Sequence, residues 1–202
     1  MTHKSILIIF TRNPILGKVK TRLAKTVGNQ TALDIYLFLL QKTKEVTQNV
    51  HCDKVIFYSE EILENDLWDT TTHKKNLQVG KDLGAKMNHA FETCFEDKYD
   101  KVVLIGSDLY DLEVSHIEEA FEKLEKKEVV IGPATDGGYY LIGLKKTYPE
   151  IFQNKNWGTS SVRKETLKNL EKVNVHLLPI LNDVDVFEDI EHHAAFSKFL
   201  SI

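Results

Sequence analysis

SILIIF at residues 5–10 runs directly into TRNPILGKVKTRL at residues 11–23, and together they indicate the fold class and the first binding segment. Its first part is apolar and rich in β-branched residues, which is typical of a strand buried on both faces of a parallel sheet. Its second part is a polar loop that contains proline, glycine and several basic side chains. Because ligands of open α/β sheets bind at the carboxyl ends of strands, this loop is the first candidate binding segment.

Apolar and amphipathic segments alternate along the rest of the chain. Strands are predicted at 54–58, 101–105, 129–132, 139–144 and 173–181, and helices at 29–46, 82–95, 114–127, 160–170 and 189–200. This alternation predicts an α/β fold, namely a Rossmann-like α/β/α sandwich whose sheet is mostly parallel. The short connection between 129–132 and 139–144 predicts one antiparallel interruption.

Two details complete the prediction of the fold. In the helix at 29–46, the spacing of Leu33, Leu37 and Leu40 predicts that these side chains share one face. Residues 62–79 are polar and irregular, and no element is predicted there. Because the 202 residues contain no internal repeat, low-complexity tract or linker, residues 1–202 are expected to form one domain.

Charge is distributed unevenly along the chain. The whole sequence has 26 basic and 30 acidic residues, a net charge of −4, which argues against a surface for nucleic acid. Five basic residues and no acidic residue lie between positions 12 and 25, so 21 basic residues face 30 acidic ones elsewhere, a balance of −9. The five are Arg12, Lys18, Lys20, Arg22 and Lys25. This pattern predicts a locally positive pocket that binds a small polyanion.

Several observations bear on the cellular compartment. Cys52 and Cys94 are too few for a disulfide framework or a zinc site, and reduced thiols are expected. No window approaches the roughly 18 apolar residues of a membrane span. Residues 1–4 lead straight into the first strand without the cleavage site of a signal peptide. A cytoplasmic protein without a membrane partner is therefore expected.

The loop after the first strand has the chemistry of a phosphate site. Lysine and arginine side chains neutralise phosphate charge, and a loop that leads into a helix offers backbone N–H groups. The alternative is a basic loop that is merely solvated. The sequence contains neither a Walker A loop nor a GxGxxG fingerprint, which excludes the readings of a P-loop ATPase and a Rossmann dehydrogenase.

Three carboxylates follow predicted strands. Asp108, in GSDL at 106–109, has the chemistry to hold Mg²⁺ or Mn²⁺ against a diphosphate, since these cations prefer oxygen ligands. Asp183 and Asp185 are spaced to project to the same side of an extended segment, and a cation shared with Asp108 would offset their repulsion. The alternatives are a capping or turn role for Asp108, and a start of the last helix at Asp185 or Asp189.

A glycine-rich segment, GPATDGGYYLIG at 132–143, is the candidate for the acceptor side. Paired glycines allow the backbone to approach a ligand closely, and they suit a tight hairpin turn equally well. The acceptor-binding candidates are Asp136, Gly137, Gly138, Tyr139 or Tyr140, and Trp157. For Trp157, a place in the core or in a lid remains the alternative.

Taken in order, these segments resemble a known family. They are FTRNP…GKVKTRLA at 10–24, DLGAKM at 82–87, GSDL at 106–109, GPATDGGYYLIGL at 132–144, IF…WGT at 151–159 and DVD at 183–185. The chain is similar to the glycosyltransferase-A-like nucleotide-diphospho-sugar transferases grouped as DUF2064. The family pattern has proline at the position of Tyr110, so the local shape of that loop is left open.

The resemblance implies a glycosyltransferase-A fold and kinship with molybdopterin, phospholactate and sugar-phosphate nucleotidyltransferases. It also implies that the loop after the first strand holds the phosphates and that aspartates at positions 108, 183 and 185 hold Mg²⁺. The phosphate-binding set is then Arg12, Gly17, Lys18, Lys20, Thr21 and Arg22, of which Lys20 and Arg22, with Asp136, are expected to act in catalysis.

The functional prediction is a metal-dependent transferase that uses a nucleotide-diphospho-sugar donor and a small-molecule acceptor. The first alternative is a nucleotidyltransferase that releases pyrophosphate from a nucleoside triphosphate. The second is a non-catalytic nucleotide sensor, against which the three candidate metal carboxylates argue. The sequence predicts neither the sugar, the base nor the oligomeric state.

Overall fold

The structure, a computed structural model, describes residues 4–68 and 73–200. Its strands are β1 (Ser5–Thr11), β2 (Asp53–Tyr58), β3 (Lys74–Leu77), β4 (Lys101–Ile105), β5 (Val129–Pro133), β6 (Tyr139–Leu144) and β7 (Val175–Leu177). Its α-helices are α1 (Thr21–Val27), α2 (Asn29–Thr47), α3 (Leu83–Glu96), α4 (Val114–Lys123), α5 (Val162–Asn169) and α6 (Ser197–Leu200). Short 3₁₀ helices lie at Pro149–Ile151, Phe187–Asp189 and Ala194–Phe196. None of the helices in the described ranges is long and apolar enough to cross a membrane.

The strands form one sheet in the order β3-β2-β1-β4-β6-β5-β7. β6 is antiparallel to both of its neighbours, whereas the other pairings are parallel. The predicted α/β fold and its single antiparallel interruption are therefore confirmed. Because β6 runs against the others, its amino end lies at the same edge of the sheet as the carboxyl ends of β1, β2 and β4.

Both faces of the sheet are covered by helices. Leu7 and Ile9 of β1 join a cluster that includes α2 and α4, while Ile8 joins one that includes α3 and α5. This division follows from the alternation of side chains along a strand. The third cluster, around Phe196, joins α1 and α2 to the C-terminal segment. The predicted α/β/α sandwich is confirmed.

The predicted face of α2 is only partly right. Leu40 is buried, but Leu37 is 45% exposed, and the core side of the helix carries Tyr36 and Leu39 instead. The prediction rested on the leucines alone and left out Tyr36, which is almost completely buried. Two elements, α1 and β3, carried no prediction.

The end of the chain also differs from the prediction. The strand expected over 173–181 spans only Val175–Leu177, and after it Pro179 has no backbone N–H to donate to a ladder. The helix expected over 189–200 is broken into short turns. One reason is that Asp189 accepts hydrogen bonds from the backbone N–H groups of Asp185 and Val186, which closes a local turn.

Candidate functional site

A cleft of about 760 Å³ opens at the edge where β1, β2 and β4 end. Most of the predicted site residues line it, namely Arg12, Lys18, Lys20, Thr21, Arg22, Asp108, Asp136, Gly138, Tyr139, Trp157, Asp183 and Asp185. Gly17 and Gly137 are not among the lining residues. Both have positive φ angles, 75° and 90°, so glycine is needed there to turn the backbone.

Three basic side chains of the loop are held by acidic residues from three other loops. Lys18 Nζ lies 3.1 Å from a carboxylate oxygen of Glu60, after β2. Lys20 Nζ lies 2.9 Å from Asp108, after β4. Arg22 pairs with Asp185, after β7. Ion pairs thus connect the basic loop to the segments that follow β2, β4 and β7.

Lys20 is the most constrained member of this loop. Its side chain is 6% exposed, and its backbone is left-handed, with φ 47°, at the residue before α1. A non-glycine residue in this region stores conformational strain, and such outliers cluster at functional sites. The side chain is directed at Asp108, so the strained position delivers an ammonium group to the candidate metal carboxylate.

The cleft is not the positive pocket that the sequence predicts. Its lining has five basic residues (Arg12, Lys18, Lys20, Arg22 and Lys86) and six acidic ones (Glu60, Asp82, Asp108, Asp136, Asp183 and Asp185), a formal balance of −1. The prediction was wrong because the acidic residues come from separate loops. A count of charges along the sequence does not tell which residues meet in the folded protein.

Asp183 lies in the most crowded part of the cleft. Burial, with the charges of Asp108 and Asp136 in the same direction, raises the pKa of Asp183 to about 6. The segment is tied to the end of β4, because the N–H of Val184 donates to the carbonyl of Asp108 at 3.1 Å. Asp108 and Asp183 are therefore close neighbours, as the metal prediction requires.

The third predicted ligand, Asp185, is engaged by Arg22. Within the described ranges, no group of three or more His, Cys, Asp or Glu side chains has the arrangement of a metal site. Mg²⁺ is commonly held by one or two carboxylates with substrate phosphates and water. The pair Asp108 and Asp183 fits that kind of site, and the three predicted carboxylates do not form a closed cage.

The glycine-rich hairpin is fixed by its own backbone. Asp136 accepts a hydrogen bond from the N–H of Gly138 at 2.7 Å. A Cβ atom on Gly137 would lie 2.4 Å from the carbonyl oxygen of Ser160, which is too close for any side chain. Asp136 thus shapes the turn and also lines the cleft, so the hairpin is confirmed and the role of Asp136 in binding stays a prediction.

The aromatic residues of this region have different environments. The hydroxyl of Tyr140 donates to the carbonyl of Pro179 at 3.1 Å, which gives it a structural role. The ring of Tyr139 lies edge-on to that of Trp157, with centroids 6.4 Å apart. Burial raises the pKa of Tyr139, whose hydroxyl points into the interior. Trp157 packs tightly against Gly84, where a Cβ would lie 2.7 Å from its ring, so it forms a wall of the cleft.

The sequence did not predict a role for Tyr36, whose buried hydroxyl contacts the ends of two strands beneath the cleft. Its hydroxyl accepts from the N–H of Arg12 at 2.8 Å and lies 3.2 Å from both Thr11 Oγ1 and Ser107 Oγ. One buried hydroxyl thus joins the end of β1 to the end of β4. A tyrosine in the middle of a helix carries no sequence signal for this role.

Asn13 was also missed, although it lies inside the predicted loop. Its side-chain amide donates to the carbonyl of Glu61 at 2.8 Å and accepts from the N–H of Glu60 at 3.0 Å. Asn13 therefore fixes the position of the loop after β2, which carries the partner of Lys18.

Tyr110, where the family pattern has proline, stacks on Phe38 with centroids 5.6 Å apart.

Comparison with known proteins identifies the family. The family model described as "Uncharacterized protein conserved in bacteria (DUF2064)" matches residues 41–159, more than half of the chain. The crystal structure of a protein from Desulfovibrio desulfuricans G20, described as a nucleotide-diphospho-sugar transferase, is 32% identical with a TM-score of 0.87. That comparison covers 98% of this chain and 94% of the other. The chain belongs to the DUF2064 family, which confirms the resemblance.

More distant relatives share the fold. A 2-phospho-L-lactate guanylyltransferase from Methanocaldococcus sp. strain FS406-22 is 28% identical over 64% of this chain, and the match spans 55% of that relative's length. The structure of 4-diphosphocytidyl-2C-methyl-D-erythritol synthase from Anaerococcus prevotii is 10% identical with a TM-score of 0.64, and covers 97% of this chain and 96% of that one. This chain therefore shares the fold of that synthase.

Proposed function

We propose that this protein is a transferase that depends on a divalent metal, takes a nucleotide-diphospho-sugar as donor and transfers the sugar to a small molecule. The observation that carries the proposal is the meeting of the basic loop and the aspartates in one cleft, where Lys20 contacts Asp108. Groups that bind phosphate and groups that bind a cation are what a diphosphate leaving group needs.

The donor's phosphates are assigned to the loop after β1. Arg12, Lys18, Lys20 and Arg22 supply positive charge, and the turn at Gly17 and the start of α1 at Thr21 supply backbone N–H groups. Lys20 and Arg22 are the proposed catalytic members, because each already contacts a candidate metal carboxylate. There they would stabilise negative charge on the departing diphosphate.

The cation is assigned to Asp108 and Asp183, with Asp185 joining when Arg22 turns to phosphate. Burial and, in the same direction, the charges of Asp108 and Asp136 raise the pKa of Asp183, and this supports the assignment, since a cation would offset the burial of the charge and the repulsion between the carboxylates. Mg²⁺ or Mn²⁺ suits these hard oxygen ligands and, when bound, would neutralise charge on the leaving group.

The acceptor is assigned to the side of the cleft formed by the hairpin and Trp157. Asp136 is proposed to orient an acceptor hydroxyl, while Gly138 leaves room for its approach. The rings of Tyr139 and Trp157 offer an apolar wall of the kind that packs against a ring or chain. Gly137 contributes by allowing the turn.

Nucleotidyl transfer is the second candidate. The match to a guanylyltransferase, 28% identical over 64% of this chain, favours it. The two reactions differ in what leaves: sugar transfer releases a nucleoside diphosphate, and nucleotidyl transfer releases pyrophosphate.

A thermal-shift series tests the proposed site. Nucleotide sugars and nucleoside triphosphates are expected to raise the melting temperature with Mn²⁺, and Asp108→Ala is expected to abolish that rise. Asp111→Ala is the matched control, because Asp111 lies three residues away, is exposed and does not line the cleft. Stabilisation that persists without metal and in Asp108→Ala would favour the non-catalytic sensor, and no stabilisation by any nucleotide would end the proposal.

Product analysis separates the two reactions. The protein, Mn²⁺ and a panel of nucleotide sugars or triphosphates are incubated with a metabolite extract and analysed by mass spectrometry. Release of a nucleoside diphosphate with a new glycoside supports the proposal. Release of pyrophosphate with a new nucleotidyl conjugate would contradict sugar transfer and support nucleotidyl transfer.

A further inference from the structure

The segment that carries Asp183 and Asp185 has no regular secondary structure. Residues 182–186 form neither a helix nor a strand, so their backbone is not fixed by a helical or ladder pattern of hydrogen bonds. Val184 is 3% exposed and packs into the cluster around Phe196, whereas the aspartates on either side of it line the cleft. This alternation is that of an extended backbone. Other contacts must therefore hold the segment in place.

Asp189 binds both ends of this segment with one carboxylate. Its Oδ1 accepts a hydrogen bond from the side-chain amide of Asn182 at 2.8 Å. Its Oδ2 accepts hydrogen bonds from the backbone N–H groups of Asp185 and Val186, both at 2.8 Å. The stretch that contains Asp183 is thus closed at each end by the same side chain.

Two further contacts connect this segment to the rest of the cleft. The N–H of Val184 donates to the carbonyl of Asp108 at 3.1 Å, at the end of β4. The hydroxyl of Thr135 donates to the side-chain oxygen of Asn182, whose amide nitrogen in turn contacts Asp189. Asp189 is therefore linked through Asn182 to the glycine-rich hairpin.

The contacts of Asp189 exceed what a local turn requires. The two bonds to the backbone alone would cap the short 3₁₀ helix Phe187–Asp189, but the bond to Asn182 reaches outside that helix. A carboxylate suits this position because it offers two acceptor oxygens and no donor. Asp189 does not line the cleft, so any effect on a ligand there passes through the residues that it holds.

We propose that Asp189 is a positioning residue, whose carboxylate fixes residues 182–186 so that Asp183 and Asp185 are held beside Asp108 for the cation. This inference rests on the proposed function, which assigns the cation to those carboxylates. Hydrogen-bonding groups that orient metal ligands commonly change metal affinity by about 10–100-fold when they are removed.

Binding of Mn²⁺ to the full chain, followed by electron paramagnetic resonance of the free ion, tests the inference. Asp189→Ala removes all three contacts and is expected to weaken the affinity for Mn²⁺ by at least about tenfold. Asp189→Asn loses the same charge but keeps an oxygen for the two backbone N–H groups, so its affinity should lie closer to that of the wild type. An equal loss in both variants would attribute the effect to charge and overturn the positioning role.

Glu188→Ala is the matched control. Glu188 is the neighbouring carboxylate in the same 3₁₀ helix, is exposed and does not line the cleft, so the affinity for Mn²⁺ should stay close to that of the wild type. Hydrogen exchange of the folded variants should show faster exchange of the Asp185 and Val186 amides in Asp189→Ala, with the amides of β4 unchanged. Faster exchange with unchanged affinity for Mn²⁺ would mean that Asp189 only caps a turn, and would overturn the proposal.

Asn182→Ala keeps the proposal testable if Asp189→Ala does not fold. It breaks only the contact at the first end of the segment, so it is expected to weaken the affinity for Mn²⁺ by less than Asp189→Ala. An affinity equal to that of the wild type would overturn the proposal.

The outcomes separate this inference from the proposed function. If Mn²⁺ binding is lost in Asp108→Ala but unchanged in Asp189→Ala, the inference is overturned and the metal assignment stands. If the wild type does not bind Mn²⁺, both the inference and the metal assignment are overturned.

Discussion

The two sides of the cleft are held in place by different forces. On the phosphate side, Lys18 and Arg22 are exposed and held by ion pairs to neighbouring loops. On the acceptor side, Gly137 abuts the backbone of Ser160 and Gly84 abuts Trp157, so contact between packed atoms sets the geometry. Ion pairs exchange partners at small cost, whereas packed atoms do not.

This contrast assigns different behaviour to the two sides. The phosphate side can rearrange when a ligand replaces its carboxylate partners, while the fold stays intact. The side proposed for the acceptor has a geometry fixed by packing. Substitutions on the first side should therefore change binding and electrostatics, and substitutions on the second should change folding.

The largest expected effect is on the packed side. Gly137→Ala should lower the free energy of unfolding by at least about 3 kcal/mol, since a positive φ angle and a steric clash act together. Gly28→Ala is the matched control, because Gly28 has φ 83° and a Cβ there would meet no atom of the described residues within 4 Å. It should cost only the backbone part, about 1–3 kcal/mol, because Gly28 with ψ 160° lies in a region that almost only glycine adopts. Equal losses in urea denaturation would show that the hairpin is not fixed by packing.

The next effect concerns charge in the cleft. Asp183 has a pKa of about 6 in the folded protein, above its ordinary value of 3.8, so its ionisation opposes folding. The sign follows from linkage: the penalty is absent below about pH 4, grows between about pH 4 and 6, and is complete above. In EDTA, Asp183→Asn should therefore stabilise the protein near neutral pH by up to about 3 kcal/mol, less the part that solvent screens, and not in acid.

Urea denaturation at several pH values measures this gain, with Asp34→Asn as the control because Asp34 is exposed on α2. A pH-independent gain for Asp183→Asn would mean that the pKa of Asp183 is not raised in the folded protein.

The smallest effect tests the link between the two strand ends. Tyr36→Phe removes the hydroxyl that contacts Arg12, Thr11 and Ser107, and should lower the free energy of unfolding by about 1–2 kcal/mol. Tyr140→Phe, which loses one hydrogen bond to Pro179, is the control. Hydrogen exchange should separate them: the Arg12 amide should exchange faster in the first variant only. If both variants affect that amide alike, Tyr36 does not position the loop.

Much of the fold follows from the sequence because the signals are local. The apolar run at residues 5–10 and the loop after it identify a buried strand and a binding segment, and Asp108 could be placed beside the loop since parallel strands end at one edge. The prediction of a helix over 189–200 was wrong because non-local contacts decide the structure of this segment. Its periodicity is local, but burial of Phe196 against α2 and the turn closed by Asp189 decide the structure.

The individual ion pairs within the cleft could not be predicted. Lys18 and Glu60 are 42 residues apart, Lys20 and Asp108 are 88 apart, and Arg22 and Asp185 are 163 apart. Each pairing depends on the order of the strands, which no local pattern records. The sequence could therefore supply the list of charged residues but not the near-neutral balance that they form together.

Lys20 shows that binding chemistry and stability make opposing demands on one position. Its left-handed backbone, φ 47°, is a conformation that glycine adopts without steric penalty and that costs another residue about 1–2 kcal/mol. An optimisation of this chain for thermal stability would therefore select glycine at position 20 and remove the ammonium group beside Asp108. Stability-guided redesign of this protein should keep that position fixed, because the substitution that relaxes the backbone also removes the proposed catalytic charge.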